Sequence, residues 1–301
     1  MENQASKIVF FKSRSLAGRF SSAFDFIENN LKVLVKLSSF ILVPTAFIVA
    51  FLFTTFSNLM IQAFQAKSAP TGLLTKYLIL LLSISLISVI GDVLFKGLLF
   101  LLVKEYSLRD SIARLSFKGI KDKLIFNTKR FFIVSFVLFV LMIIYFALLS
   151  GLLILSKWTL LLTVPLLLFL IIPFTYAQVI YMFEELNVMA AVKKGFRLGI
   201  PNWAGTFFLL ILATIFSLII QTIAFTPWGI GLFAQSLSFN SILDGNPSTL
   251  PGYFSLLMFV LCVIGFFISY LAQTLPSMSM IFQYFSASKK QADKEEQDQP
   301  L

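Results

Sequence analysis

The chain of 301 residues has no histidine, a single cysteine and only 13% charged residues. Without histidine it cannot form a Ser-His-Asp or Cys-His nucleophile system, a His-bound zinc site or a four-His iron centre. Cys262 has no second cysteine with which to form an intrachain disulfide or a CxxC motif, and we expect a buried structural thiol. The sequence therefore predicts neither an enzyme nor a bound cofactor or metal.

Hydrophobic residues are abundant instead. They make up 58% of the chain, 36 of them are Phe, and the mean hydropathy is +0.91. Soluble domains carry about a quarter charged residues, so this composition indicates a membrane protein. Six apolar runs are each long enough to cross the hydrocarbon core as a helix. They lie at about 37–62, 77–103, 131–155, 159–183, 203–226 and 253–275. The predicted fold is an all-α membrane helical bundle.

Lysine and arginine predict the orientation of these spans. Lys67, Lys76 and Lys157 lie on one side of the predicted membrane, and Lys96 lies within a span. All the other basic residues lie before the odd-numbered spans or after the last one. The positive-inside rule then predicts that both termini are cytoplasmic, and we expect the chain in the cytoplasmic membrane.

Three basic segments precede the odd-numbered spans, at 15–36, 106–132 and 186–203, and each shows apolar residues at helical spacing. Ser107 and Asp110 form a capping-box pattern in the second segment, and Gly199 ends the third. In that third segment the predicted apolar face is Val188, Val192 and Phe196. We expect interfacial helices on the cytoplasmic side, which gives three repeats of one such helix and a hairpin.

Two further segments complete the organisation. Residues 1–286 are predicted to form a single membrane domain, and the polar residues 287–301 a disordered cytoplasmic tail. The outer loop 227–252 is half apolar, and we expect its stretch from Ile230 to Ile242 to pack over the bundle.

Two stretches carry a family resemblance. They are SSAFDFIENNLKVLVKLSSFILVP (21–44) and IIPFTYAQVIYMFEELNVMAAVKKGFRLGIPNWAGTFFLLIL (171–212). The chain resembles poorly characterised bacterial six-helix membrane proteins related to the membrane domain of glycerophosphoryl diester phosphodiesterases. The resemblance implies a fold and a location without a biochemical activity.

Asp92 and Lys96 form a candidate intramembrane polar site, because they lie four residues apart within the second span. Tyr270 and Gln273 of the last span are further candidates for it. The alternative is a structural pair, with Lys96 reaching the cytoplasmic headgroups. Tyr270 and Gln273 would then be polar contacts between helices.

Glu184 and Glu185 end the fourth span close to three cations, Lys193, Lys194 and Arg197. These five residues are the candidate headgroup site, with the cations for a phosphate and a carboxylate for an amine. The alternative is a solvated charge network.

The net charge of +10 is concentrated on the predicted cytoplasmic side. The leading functional hypothesis is a non-enzymatic membrane protein that engages lipids, preferentially anionic ones, or partner proteins through this basic face, and does not bind nucleic acid. The alternative is a small transporter or permease that uses Asp92 and Lys96.

Overall fold

The computed structural model describes residues 7–65, 72–109, 111–243 and 250–297. Within these ranges the chain forms eight α-helices, one short 3-10 turn and no β-strand, which confirms the all-α class. The helices are α1 (Leu16–Gln65), α2 (Leu73–Leu108), α3 (Phe117–Leu155), α4 (Leu160–Phe183), α5 (Val188–Gly199), α6 (Trp203–Leu243), α7 (Phe254–Ala272) and α8 (Thr274–Gln297). The 3-10 turn, Lys157–Thr159, lies directly before α4.

Six candidate membrane spans are present, in agreement with the six predicted from the apolar runs. Their most apolar windows have mean hydropathies between 2.0 and 3.0. Large apolar side chains are exposed along them, for example Leu82 at 69% and Ile223 at 67%. An exposed apolar surface of this extent suits lipid rather than water. By helix length and hydropathy, the chain is a multi-pass membrane protein.

The first amphipathic segment is not a separate helix. α1 runs through it without a break for 50 residues, from Leu16 to Gln65. Neither Gly nor Pro occurs between Gly18 and Pro44, so nothing interrupts the backbone hydrogen bonds where the amphipathic part meets the span. A helix of this length measures about 75 Å, more than twice the thickness of a hydrocarbon core. A large part of α1 therefore lies outside the core.

The prediction of a helix that begins at Ser107 is wrong. α2 continues through this residue to Leu108, residues 111–116 are not helical, and α3 begins at Phe117. Ser116 is the N-cap of α3, because its side chain accepts a hydrogen bond from the amide of Gly119. Asp110, the other half of the predicted capping box, lies outside the described residues.

Only the third amphipathic segment forms a helix of its own, α5, which ends at Gly199 as predicted. Asn187 is its N-cap and accepts a hydrogen bond from the amide of Ala190 at 2.8 Å. The three predicted repeats of an interfacial helix and a hairpin are therefore not present in that form. The first basic segment is continuous with the span that follows it. The second is divided between the end of α2 and the start of α3.

The predicted outer loop and tail are also largely helical. α6 continues through Pro227 to Leu243, so the stretch from Ile230 to Ile242 extends the fifth span and is not a folded-back loop. Residues 244–249 lie outside the described part of the chain. At the other end, α8 runs to Gln297, which corrects the prediction that disorder begins at residue 287.

A break at Gln273 separates α7 from α8, three residues before Pro276. Pro276 thus lies in the first turn of α8, where its missing N–H group leaves no helical hydrogen bond unmade.

The chain divides into two compact units. Unit 1 comprises Met1–Leu34, Lys96–Thr214 and Thr274–Leu301, and unit 2 comprises Val35–Phe95 and Ile215–Gln273. All the Lys and Arg residues except Lys36, Lys67 and Lys76 belong to unit 1. The basic residues of the sequence are therefore gathered in one of the two units.

Candidate functional site

The N-terminal segment 7–15 packs against two helices of unit 1. The Phe10 ring is buried and stacks on Phe282 of α8 with 5.0 Å between the centroids. The amide of Ile8 donates to the Tyr106 hydroxyl, and the amide of Arg14 donates to Ser286 Oγ at 3.0 Å. Burial lowers the pKa of the Arg14 guanidinium, because desolvation disfavours the charged form. These contacts hold the segment against α2 and α8.

A buried polar network joins four helices of unit 1. Arg19 of α1 donates through Nη1 to Gln283 Oε1 of α8. The Gln283 amide donates to the Tyr176 hydroxyl of α4 at 2.9 Å and to Thr206 Oγ1 of α6 at 2.7 Å. Arg19 is 7% exposed, Gln283 1%, and the other two are fully buried. No carboxylate among the described residues lies within ion-pair distance of Arg19, so neutral oxygens satisfy this cation.

Glu184 joins the end of α4 to two other helices. Both its carboxylate oxygens accept from Lys194 Nζ of α5 at 2.7 Å, and the Tyr284 hydroxyl of α8 donates to Oε1. Arg130 of α3 donates to the backbone carbonyls of Tyr181 and Glu184. A cation at this position satisfies carbonyls that have no partner within the helix. Glu184 therefore connects the end of α4 to α5 and α8.

Glu105 is a buried carboxylate near the end of α2, with 3% of its surface exposed. It accepts from Arg109 Nε at 2.6 Å, one turn further along, and from Lys123 Nζ of α3 at 2.5 Å. The two cations are themselves about half exposed. The carboxylate is thus the desolvated member of both ion pairs, and it connects α2 to α3.

We expect Glu105→Gln to destabilise the protein by about 2 kcal/mol, because an amide cannot serve two cations and loses the charge that attracts them. The measurement is the free energy of unfolding of the purified protein in mixed micelles titrated with SDS. Glu28→Gln is the matched control, since Glu28 is exposed on α1. Equal stabilities of the two variants would contradict the role given to Glu105.

α5 docks on α4 through small residues. Ala191, Gly195 and Gly199 recur every four residues, and all three are buried. A Cβ atom built on Gly195 would lie 2.6 Å from the Pro173 carbonyl oxygen and 3.0 Å from the Ala177 amide nitrogen. This close approach of two backbones is the small-xxx-small contact seen between membrane helices. The predicted face of Val188, Val192 and Phe196 is only half-buried, so the small residues form the main contact.

The end of α5 and the last turns of α8 enclose a basic cleft of about 440 Å³. Three of its lining residues are exposed cations, Arg197, Lys290 and Lys294. Two amides, those of Asn202 and Gln291, also line it. None of the lining residues is acidic. Gln291 donates a hydrogen bond to Glu295, an exposed residue of α8 that does not line the cleft. We call this the basic cleft, and its donor set fits an anion.

The predicted headgroup site is only partly assembled. Glu184 and Lys194 are paired with each other, whereas Arg197 lines the basic cleft. Glu185 and Lys193 are exposed. Sequence reasoning missed Lys290 and Lys294, because the tail was expected to be disordered. Residues four apart lie on one face of a helix, so a prediction that the last helix continues to Lys294 would have placed these two lysines together.

Three of the four predicted intramembrane residues, Asp92, Tyr270 and Gln273, belong to unit 2. The Tyr270 hydroxyl lies 3.5 Å from the Ser88 carbonyl oxygen, one turn before Asp92 on α2. A Cβ atom on Gly91 would clash with Thr45 Cγ2 and lie 3.3 Å from the Tyr270 hydroxyl. Gly91 thus permits close contact between three helices beside Asp92. Gln273 lies at the break between α7 and α8.

Lys96, the fourth predicted residue, belongs to unit 1. Its Nζ atom lies 6.0 Å from the centroid of the Phe131 ring of α3. The next residue, Gly97, is packed against the Thr128 backbone, where a Cβ atom would lie 2.9 Å from its Cα. Lys96 therefore belongs to the tightly packed contact between α2 and α3.

Within the described ranges, no group of three or more Cys, Asp and Glu residues is arranged to hold a metal ion. Comparisons with protein-family models, with curated proteins and with solved structures found no match to this chain.

Proposed function

We propose that this chain is a non-enzymatic multi-pass protein of the bacterial cytoplasmic membrane that binds anionic phospholipid headgroups in its basic cleft. The observation that carries the proposal is the meeting of Arg197 from α5 with Lys290 and Lys294 from α8 around one cleft. Guanidinium and ammonium groups are the usual protein ligands of phosphate. The two lining amides supply further donors for phosphate or glycerol oxygens.

The position of the cleft supports a lipid ligand. α5 precedes a candidate span and α8 continues one, so the cleft lies at the ends of membrane helices. We infer that this end faces the cytoplasm, because it carries the excess of Lys and Arg. Anionic lipids of the cytoplasmic leaflet attract basic residues near the surface by about 1 kcal/mol each. Partner proteins that recognise the same lipids would be brought to the same face.

The resemblance of 21–44 and 171–212 to bacterial six-helix membrane proteins fits this proposal. The second stretch contains all of α5 together with the parts of α4 and α6 that flank it. We infer that docking of α5 on α4 is the structural feature underlying that pattern, because Gly195 and Gly199 lie within it.

We expect the purified protein in neutral detergent to bind phosphatidylglycerol with at least about tenfold higher affinity than phosphatidylcholine. The reason is that phosphatidylglycerol carries a net negative charge, whereas phosphatidylcholine has no net charge. Native mass spectrometry with stepwise lipid addition measures both affinities on the intact chain. Inorganic phosphate and glycerol phosphate serve as competitors, and their failure to compete distinguishes a membrane lipid from a free phosphate ligand. Equal affinity for the two lipids would contradict the proposal.

The inferred orientation predicts which residues a membrane-impermeant maleimide can reach. In a Cys262→Ala background, Lys76→Cys should be labelled in intact spheroplasts, because Lys76 is exposed in the first turn of α2. Lys121→Cys, exposed in α3, should be labelled only after permeabilisation. Labelling of Lys121→Cys in intact spheroplasts would reverse the proposed orientation.

A further inference from the structure

A second cavity, of about 630 Å³, lies elsewhere in unit 1. The N-terminal segment from Lys7 to Phe11 forms one wall, and α2, α4 and α8 form the others. Five of its twelve lining residues are aromatic, including Phe11, Phe183 and Phe285. We call this the aromatic cavity. Its volume is that of a pocket for one small ligand, such as a single acyl chain with a compact head, rather than a two-chain phospholipid.

Lys104 gives this apolar cavity a cationic wall. Its Nζ atom donates to Asn127 Oδ1 at 2.9 Å and lies 6.0 Å from the centroid of the Phe183 ring. Glu105, the next residue, is already paired with Arg109 and Lys123. No carboxylate among the described residues is within ion-pair distance of Lys104, so a neutral amide and a ring face are its partners. A half-buried ammonium in these surroundings would be stabilised by an anion.

Two further features suit an amphiphile. Lys7 lines the same cavity, and its Nζ atom lies 3.4 Å from the carbonyl oxygen of Ser107. Val9 and Leu108, also lining residues, are 61% and 80% exposed, so apolar surface continues outward from the cavity. α2, α4 and α8 contribute to candidate membrane spans, so a hydrocarbon chain lying along them would have an apolar route to the cavity.

We propose that the aromatic cavity binds a single-chain anionic amphiphile, with its acidic head at Lys104 and its hydrocarbon chain along the aromatic wall. Long-chain fatty acids and lysophospholipids share this chemistry. The site is separate from the basic cleft, since the two have no lining residue in common. The inference therefore does not depend on headgroup binding in the cleft.

The test is photolabelling of the full-length protein with diazirine-bearing palmitic acid, followed by peptide mapping. Labels should be found on segments 7–11 and 103–108, with unlabelled palmitate or lysophosphatidylglycerol as competitors. Competition by palmitate alone assigns a carboxylate head, and competition by the lysophospholipid alone assigns a phosphate head. A diazirine-bearing hexadecanol should label these segments about tenfold less, because it lacks the charge.

Two variants probe the site in different ways. Lys104→Met should lower labelling by palmitic acid about tenfold by removing the cation, whereas Lys129→Met, an exposed lysine of α3, should not change it. Ser107→Trp keeps the charge and blocks the cavity sterically, so it should abolish labelling even if Lys104→Met fails to fold. The cleft variant Arg197→Gln/Lys290→Gln/Lys294→Gln should be labelled normally. Equal labelling by the alcohol, or labels spread over lipid-facing α3 in the wild-type protein, would overturn the proposal.

Discussion

Replacing Gly195 with valine should destabilise the protein by about 2–3 kcal/mol, the usual cost of forcing extra carbon atoms into a filled contact. The added atoms meet the Pro173 carbonyl oxygen and the Ala177 amide nitrogen of α4. Both are backbone atoms, so no side chain can rotate away to make room. α5 must therefore move off α4, which also moves Arg197 out of the basic cleft.

Gly151→Val is the matched control for this substitution. Gly151 lies within α3, and a Cβ atom there would have nothing within 4 Å among its neighbours. Because glycine is the poorer helix former, this control should be neutral or slightly stabilising. SDS titration gives the free energy of unfolding, and proteolysis reports exposure of α5. A Gly195→Val protein as stable as the control would show that α5 is not docked as described.

The Gln283→Leu variant should lose about 3 kcal/mol of stability, because one donor group of a buried guanidinium loses its acceptor. Arg19 Nη1 loses the Gln283 carbonyl oxygen, and Tyr176 and Thr206 lose a donor. The same SDS titration measures the loss. Gln291→Leu, the same change two turns further along α8, should have little effect, because the Gln291 amide bonds to Glu295 in an exposed pair.

A double variant distinguishes the cost of a buried charge that has lost an acceptor from the cost of lost packing. Adding Arg19→Leu to Gln283→Leu removes the stranded cation, so the double variant should be more stable than Gln283→Leu alone. Simple loss of packing would instead add the two costs. An additive result would mean that Arg19 and Gln283 act independently, against the network described.

The spans could be predicted from sequence because each depends on a continuous local run of apolar residues. The end of α5 was predictable for a similar reason, since Gly199 and the nearby Pro201 are local stop signals. The continuity of α1 was not predicted, because a change from amphipathic to wholly apolar pattern was interpreted as a boundary. A helix has no reason to stop there, since its hydrogen bonds depend on the backbone and not on the surroundings of the side chains.

The polar contacts of unit 1 could not be predicted, because they join residues far apart in the chain. Arg19 is a charged residue of an amphipathic segment, and the local sequence gives no sign that it is buried. In the structure it is buried with two neutral acceptors, the nearby Arg14 carbonyl and Gln283, which lies 264 residues later. For Glu105, the i,i+4 spacing to Arg109 was a usable signal, but the pairing with Lys123 requires knowledge of how α2 packs on α3.

The central claim is that the basic cleft, rather than diffuse positive charge, holds the anionic headgroup. The measurement that tests it most directly is the phosphatidylglycerol affinity of two triple variants with equal net charge. One is Arg197→Gln/Lys290→Gln/Lys294→Gln, and the other is Lys118→Gln/Lys121→Gln/Lys129→Gln, three exposed residues of α3. At about 1 kcal/mol for each cation, the cleft variant should lose about a hundredfold in affinity.

The α3 variant should lose less than about threefold at physiological salt, because none of its three lysines lines the cleft and salt weakens the attraction of exposed, more distant charges. We therefore predict a much larger loss of phosphatidylglycerol affinity in the cleft variant than in the α3 variant, although the two have the same net charge. Equal losses in native mass spectrometry would contradict it, since they would mean that any three cations of the basic unit serve equally well.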